Sequence, residues 1–259
     1  MTICKNATSA DVWGRFFYCF QVVVDKKTNQ WLYLNQQKLT NGYKVAAMRK
    51  QHQSRAERTK RNIIAAAAEL FAERGFEAVT MREIAARAGC SHTAIYLYFT
   101  DKETLLQHIS VPPLQELREE LAGILANGAA PEAQLNGMCM TWIRFCLSHR
   151  NLYDVIFNVG AERVDEKDPK LEMNRLRNEL FGMLMQAMRG CLPPGTGEER
   201  LLACTRIMFY MAYGIVGTYR HSPESLDELM ARLGPTFRDA FRALLIGFNA
   251  IIEEGGNGG

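Results

Sequence analysis

The strongest constraint on what this chain can fold into lies in residues 63–106, where apolar residues recur at helical spacing and glycine cuts the pattern twice. Ile63, Ile64, Ala67, Leu70 and Phe71 fall on one face of a helix that Arg74 and Gly75 close with a basic last turn and a C-cap. Phe76 and Val79 follow as apolar loop residues able to pin that helix to its neighbours. Thr80-Met81-Arg82-Glu83 has the form of a capping box, in which the Thr80 hydroxyl accepts from the Glu83 N–H and the Glu83 carboxylate reaches back. The helix it starts carries Ile84, Ala85 and Ala88 inward, and at about two turns it is too short to persist without tertiary packing. Gly89 suits a left-handed turn, Ser91 caps a third helix predicted over 91–98 with Ile95 and Phe99 inward, and Asp101 caps a fourth beginning at Lys102. A long helix followed by two short ones across a glycine turn is a helix-turn-helix unit, here spanning about 58–102.

The outer face of the third helix is unlike a plain solvent face. It carries His92, Thr93, Tyr96 and Leu97 and no acid, as a surface meeting phosphates and base edges requires. Upstream, Arg49, Lys50, Arg55, Arg58, Lys60 and Arg61 are interrupted by a single acid, Glu57. Such a run alone reads equally well as a solvated helix start, but this one leads directly into the motif. The formal net charge of the whole chain, +3, identifies no partner by itself.

The residues Ala68-Glu69-Leu70-Phe71-Ala72-Glu73-Arg74-Gly75-Phe76, Thr80-Met81-Arg82-Glu83-Ile84-Ala85, Gly89 to Phe99 and Asp101-Lys102-Glu103-Thr104-Leu105 together resemble the DNA-binding head of TetR-family transcriptional regulators. The resemblance runs in register through about fifty residues. It implies an all-α chain, with a three-helix DNA-binding head followed by a helical ligand-binding and dimerisation domain. It also implies site residues: Thr80 and Arg82 on the second helix, and Ser91, His92, Thr93 and Ala94 opening the recognition helix that enters the major groove. Tyr96 resembles the family's phosphate-contacting tyrosine and Lys102 its phosphate anchor, while Leu97 and Ala94 stand where a polar residue and a threonine are commoner. Both apolar groups suit a thymine methyl. Tyr98 is expected to pack partly beneath the helix.

The expected organisation is an atypical extension over 1–47, a head over 48–110, a sensor and dimer domain over 111–254, and a disordered glycine-rich tail over 255–259. In the extension, 13–24 and 31–34 read as a hairpin around Lys26-Lys27-Thr28-Asn29, and a lone hairpin is marginal in water. Met48 opens the basic segment as a start codon would, so 1–47 is expected to be a non-native leader, the alternative being a short β appendage. Pro112-Pro113 is expected to break or kink the connector between head and sensor. Further helices are predicted over 114–126, 132–149, 152–158, 171–189, 198–219, 223–232 and 236–252, separated by glycine and proline signals. The last long helices are the candidates for a homodimer interface.

For a ligand, the sensor offers aromatics and methionines: Trp142, Phe145, Tyr153, Phe157, Phe181, Met185, Phe209 and Tyr213 suit an apolar pocket for a small hydrophobic effector. Each is also a good core residue. Arg144, His149 and Tyr210 each read first as structural or surface residues, and second as polar groups able to orient such a molecule. No nucleophile elbow, phosphate loop, Gly-x-Gly-x-x-Gly, His-Glu-x-x-His or clustered metal ligands occur, so neither catalysis, cofactor nor metal is expected. Seven scattered cysteines without Cys-x-x-Cys spacing suit a reducing cytoplasm, with Cys139 and Cys146 as core thiols. No run is read as long enough to span a bilayer, and no membrane partner is expected. The expected activity is that of a dimeric regulator binding a double-stranded DNA operator, a repressor released by its effector. The alternatives are a ligand-independent architectural DNA-binder and an enzyme fused to a DNA-binding head.

Overall fold

A computed structural model describes residues 23–24, 31–32, 36–163, 166 and 168–256. Among the described residues the backbone is all-α apart from one antiparallel pairing of two-residue strands, β1 (Val23–Val24) and β2 (Trp31–Leu32), with Val23 opposite Leu32. The rest of the expected hairpin, at 13–22, 25–30 and 33–34, lies outside the described residues. Residues 1–56 and 57–259 form two units. α1 (Gln36–Arg74) begins inside the expected leader and runs through residue 48 without interruption.

The head follows the capping residues. α2 (Met81–Arg87) starts at Thr80, whose side chain accepts from Glu83 N while the Glu83 carboxylate accepts from Thr80 N, completing the box. Gly89 takes φ +69°, the left-handed turn a side chain would resist. Ser91 Oγ caps α3 (His92–Ile95) by accepting from Ala94 N at 3.1 Å, and Asp101 Oδ1 caps α4 (Lys102–Ala126) by accepting from Thr104 N at 2.7 Å. α3 is shorter than predicted, covering His92–Ile95, and its continuation tightens into turns closed by Leu97 N to Ala94 O and Tyr98 N to Ile95 O. Aromatic side chains lose rotamer freedom in a helix, and fully buried Phe99 draws the chain inward after Tyr98. Ile63, Ala67, Phe71, Val79, Ile84, Ile95 and Phe99 make the core of this head.

The connector corrects a sequence expectation. α4 (Lys102–Ala126) passes through Pro112 and Pro113 as one helix. The prolines withhold two donors, but Leu105, Leu106 and Ile109 before them and Leu114, Leu117 and Leu121 after them are all buried. Burial of one continuous apolar stripe on both sides outweighs the lost hydrogen bonds. The predicted stop at Leu233-Gly234-Pro235 is likewise absent: α9 (Leu226–Gly256) merges two expected helices. Leu229, Met230, Phe237, Phe241, Leu245 and Phe248 form its buried stripe, and Gly234 admits the Met140 methyl at 3.7 Å from where a Cβ would lie. Ser225 and Glu228 cap its start with a second box. α9 reaches Gly256, and the tail beyond it is not among the described residues.

α5 (Pro131–Ser148) is the centre of the C-terminal body, packed against α4, α7 (Glu172–Cys191), α8 (Glu198–Tyr219) and α9. That position explains why Leu135, Met138, Cys139, Met140, Ile143 and Cys146 bury nearly the whole helix rather than one stripe. A 3-10 turn at Arg150–Leu152 leads into the short α6 (Tyr153–Phe157).

Candidate DNA-reading face and sensor cavity

Across α2, the turn and α3, Thr80, Arg82, Ser91, His92, Thr93, Tyr96 and Leu97 are exposed, and Ala94 is half-buried. Leu97 is 82% exposed, a large apolar group left in water beside the reading helix. His92 and Tyr96 lie edge to face, 5.3 Å between ring centroids, so each limits the rotation of the other. Tyr98 is half-buried against the head core. No carboxylate stands between Arg87 and Asp101.

The scaffold behind this face is ionic. Arg74 Nη1 donates to Glu83 Oε1 at 2.8 Å, and Arg87 reaches Glu69 and Glu73 on α1 at 3.2 Å each. Arg74 and the Thr80 hydroxyl hold the Glu83 carboxyl at about 2, far below its ordinary range. Thr80 donates its hydroxyl proton to Glu83 Oε2 at 2.8 Å, so a phosphate contact from this hydroxyl requires that bond to open. Lys102 is half-buried and turned inward: Nζ donates to Phe76 O at 2.9 Å and Glu77 O at 3.5 Å, and lies 4.5 Å from the Phe76 ring centroid. Its ammonium thereby joins the loop after α1 to the first turn of α4.

Below the head, an apolar cavity of about 90 Å3 opens among α4, α5, α7 and α8. Trp142, Phe157, Phe181, Phe209 and Tyr213 of the sequence-expected set line it. Phe145 and Tyr153 stand behind, ring against Phe157, and Met185 is also outside the lining. Arg144 and Tyr210 face solvent and His149 bonds to Phe145 O, and none of the three lines this cavity. The polar wall comes instead from Glu162 and Arg177. Arg177 is 5% exposed and donates to Ile156 O through both Nε and Nη2, to Asn174 Oδ1 at 2.6 Å and to Val159 O. Burial lowers its pKa to about 10 against the opposing pull of Glu162. The only signal for Arg177 in the sequence is register: it stands four residues after Met173 and four before Phe181, on the buried side of a helix rich in charges. Cys139 also lines the cavity, and its buried thiol is pushed up to about 12, an inert core thiol.

α6 is tied to everything around the cavity. Phe157 lines it, Ser110 Oγ of α4 donates to Val155 O at 3.3 Å, and Arg177 of α7 caps its C-terminal carbonyls. From α8, Tyr213 donates to Asn158 Oδ1 at 2.8 Å, and Arg220, at the C-cap of α8, pairs with Asp154 at 2.6 Å.

A helix-turn-helix head with an acid-free outer face, carried on an all-helical body with an apolar cavity, defines a DNA-binding regulator with a sensor domain. Comparison with known proteins gives the family. Residues 63–109 match the sequence profile "Bacterial regulatory proteins, tetR family", and residues 135–233 match "Tetracyclin repressor-like, C-terminal domain". The chain belongs to the TetR family of helix-turn-helix transcriptional regulators. It is 30% identical over 113 residues to the HTH-type transcriptional repressor KstR2 of Mycolicibacterium smegmatis, covering 44% of this chain and 54% of the relative. It thus spans about half the length of the KstR2 proteins it matches. To the probable HTH-type transcriptional regulator ArpR of Pseudomonas putida it is 25% identical over 209 residues, covering 71% of this chain and 96% of the relative. The solved structure of the ketosteroid transcriptional regulator KstR2 of Mycobacterium tuberculosis shares the fold, with TM-score 0.56 at 20% identity over 70% of this chain and 93% of that one.

Proposed function

We propose that the chain is a homodimeric, sequence-specific repressor that leaves its operator when a small hydrophobic molecule enters the sensor cavity. The observation that carries this reading is the position of α4. Its first residue, Lys102, holds the loop behind the reading helices, and Leu121 of the same helix lines the cavity. At about 90 Å3 the cavity is below the few hundred Å3 typical of drug-sized ligands. A ligand of that size therefore has to displace its walls, and a shift of α4 changes the spacing of the two heads on adjacent major grooves. The apolar cavity favours a sensor over a ligand-independent architectural protein.

The dimer is supported by the solvent face of α8 and α9. Ile207 and Tyr210 on α8, and Ile246 and Ile251 on α9, are exposed, and Gly214, Gly217 and Gly247 leave open space where a Cβ would project. Among the described residues α8 is the one helix with the length and mean hydropathy to cross a membrane. Core packing on one side and a partner's helices on the other account for that composition. A cytoplasmic, non-enzymatic regulator is the reading consistent with these features and with the relatives' names.

In this reading Thr80, Arg82, Tyr96 and Lys102 position the head on phosphates, and Ser91, His92, Thr93, Ala94 and Leu97 meet base edges. The test is fluorescence anisotropy against the DNA flanking the chain's own gene, scanned over salt and then titrated with hydrophobic molecules. Because a relative is named as a ketosteroid regulator, a ketosteroid is the first to try. Selective binding that such a molecule reverses is the expected result. Binding equal to that of random DNA, or no reversal by any hydrophobic molecule, would overturn the operator or the effector part respectively. Substituting His92 or Thr93 should change which bases are preferred, whereas Tyr96→Phe should weaken all sequences alike.

A further inference from the structure

The charge of this chain is divided unevenly along its length. Residues 1–56 hold nine Lys and Arg against two Asp, whereas the 203 residues after them hold 22 Lys and Arg against 26 Asp and Glu. Within 57–110, which holds the helix-turn-helix motif and leaves out Arg49, Lys50 and Arg55 at the start of the expected head, there are seven charges of each sign, so the motif itself is electrically neutral. Two of its arginines are also paired with carboxylates: Arg74 with Glu83, and Arg87 with Glu69 and Glu73. Duplex DNA carries about one negative charge per 1.7 Å of axis, and release of its counterions supplies much of the affinity of DNA-binding proteins. A neutral motif on a body of net negative charge is poorly provided for that contribution.

We infer that residues 36–54, the first half of α1, are a polycationic arm that binds the phosphate backbone of duplex DNA and supplies the long-range attraction the motif lacks. The inference rests on the DNA-binding role of the head, and it requires these residues to belong to the working protein, contrary to the leader reading of 1–47. The segment is helical and carries Lys38, Lys44, Arg49 and Lys50 with no Asp or Glu. Leu39, Tyr43 and Ala46 fall on one line of the helix, but Lys50 interrupts that line in the next turn. The segment therefore has no sustained apolar stripe with which to join a core or a partner helix. At 1.5 Å per residue it is about 28 Å long, enough to run beside several phosphates.

The test uses the full chain and a random 20-base-pair duplex, with binding measured by anisotropy between low and moderate salt. In the variant Lys38→Gln/Lys44→Gln/Arg49→Gln/Lys50→Gln, the slope of log K against log salt should fall by at least two, at about 0.9 for each phosphate no longer neutralised. Affinity should fall at least tenfold. The charge-preserving variant Lys38→Arg/Lys44→Arg/Arg49→Lys/Lys50→Arg should keep both. An unchanged slope in the glutamine variant would overturn the arm while leaving the head's role intact. Equal losses in the charge-preserving variant would assign the segment a structural role and overturn it too. If the unmodified chain fails to bind the duplex even at low salt, the DNA-binding reading of the head falls as well. Loss of binding to anionic phosphatidylserine vesicles with DNA binding unchanged would assign the arm to a membrane surface instead, and overturn the inference.

Discussion

Thr80 and Glu83 form the point where one residue pair sets both the start of α2 and its docking on α1. Thr80→Ala removes the cap acceptor and should destabilise the protein by about 1 kcal/mol, read as a lower urea midpoint with an unchanged slope. Because Glu83 titrates at about 2 when folded and near 4.5 when unfolded, its contribution is complete above about 4.5. It is lost as pH falls toward 2. Glu83→Gln should flatten that part of the stability profile, which thermal melts between pH 5 and 2 would reveal. Lys102 poses a different question at the same scale. Its inward hydrogen bonds to Phe76 and Glu77 predict that Lys102→Ala lowers stability by about 1–2 kcal/mol. One N–H remains for a phosphate, so the salt slope should also fall by about one. Loss of stability with the slope unchanged would make Lys102 a positioning residue only.

At the scale of elements, the legible parts are those whose boundaries are set by neighbouring residues in sequence. Thr80, Ser91 and Asp101 mark three helix starts because each cap acts within three residues of itself. Proline and glycine signals misled at α4 and α9 because burial on both sides of 112–113 and 234–235 was stronger than the local disruption. Pro112→Ala/Pro113→Ala should restore two backbone hydrogen bonds and raise stability by more than about 2 kcal/mol, after allowing for the unfolded chain's gain in freedom. A calorimetric melt would measure it, and a lower melting temperature would show that the prolines are suited to a real bend. Arg177 makes the opposite case. Arg177→Met strips donors from Ile156 O, Val159 O and Asn174 Oδ1 and should cost about 3 kcal/mol in a denaturant titration.

For the whole molecule, the proposed dimer face and the cavity make separable predictions. Tyr210→Glu/Ile246→Glu places charge on the exposed faces of α8 and α9 and should yield monomer in sedimentation, with operator affinity reduced by orders of magnitude. Ala212 is 5% exposed and lines the cavity, so Ala212→Phe should fill it. The expected variant binds DNA normally but no longer releases it when the effector is added. Its oligomeric state should not change, which distinguishes it from the interface variant.

By itself the sequence determined the all-helical class, the helix-turn-helix with its capping residues, and the family. The class and the caps follow from periodicity and from interactions reaching no further than a few residues along the chain, whereas the family followed from a resemblance carried in register by residues 63–106. Tertiary structure alone decided that α4 and α9 run through their prolines, that Lys102 faces inward, and that Arg177 rather than Arg144 or His149 meets the cavity. Each of those outcomes depends on which apolar surfaces meet across distant parts of the chain. Burial of a whole helix stripe sums over many side chains, whereas a proline or a single charge registers only at its own position.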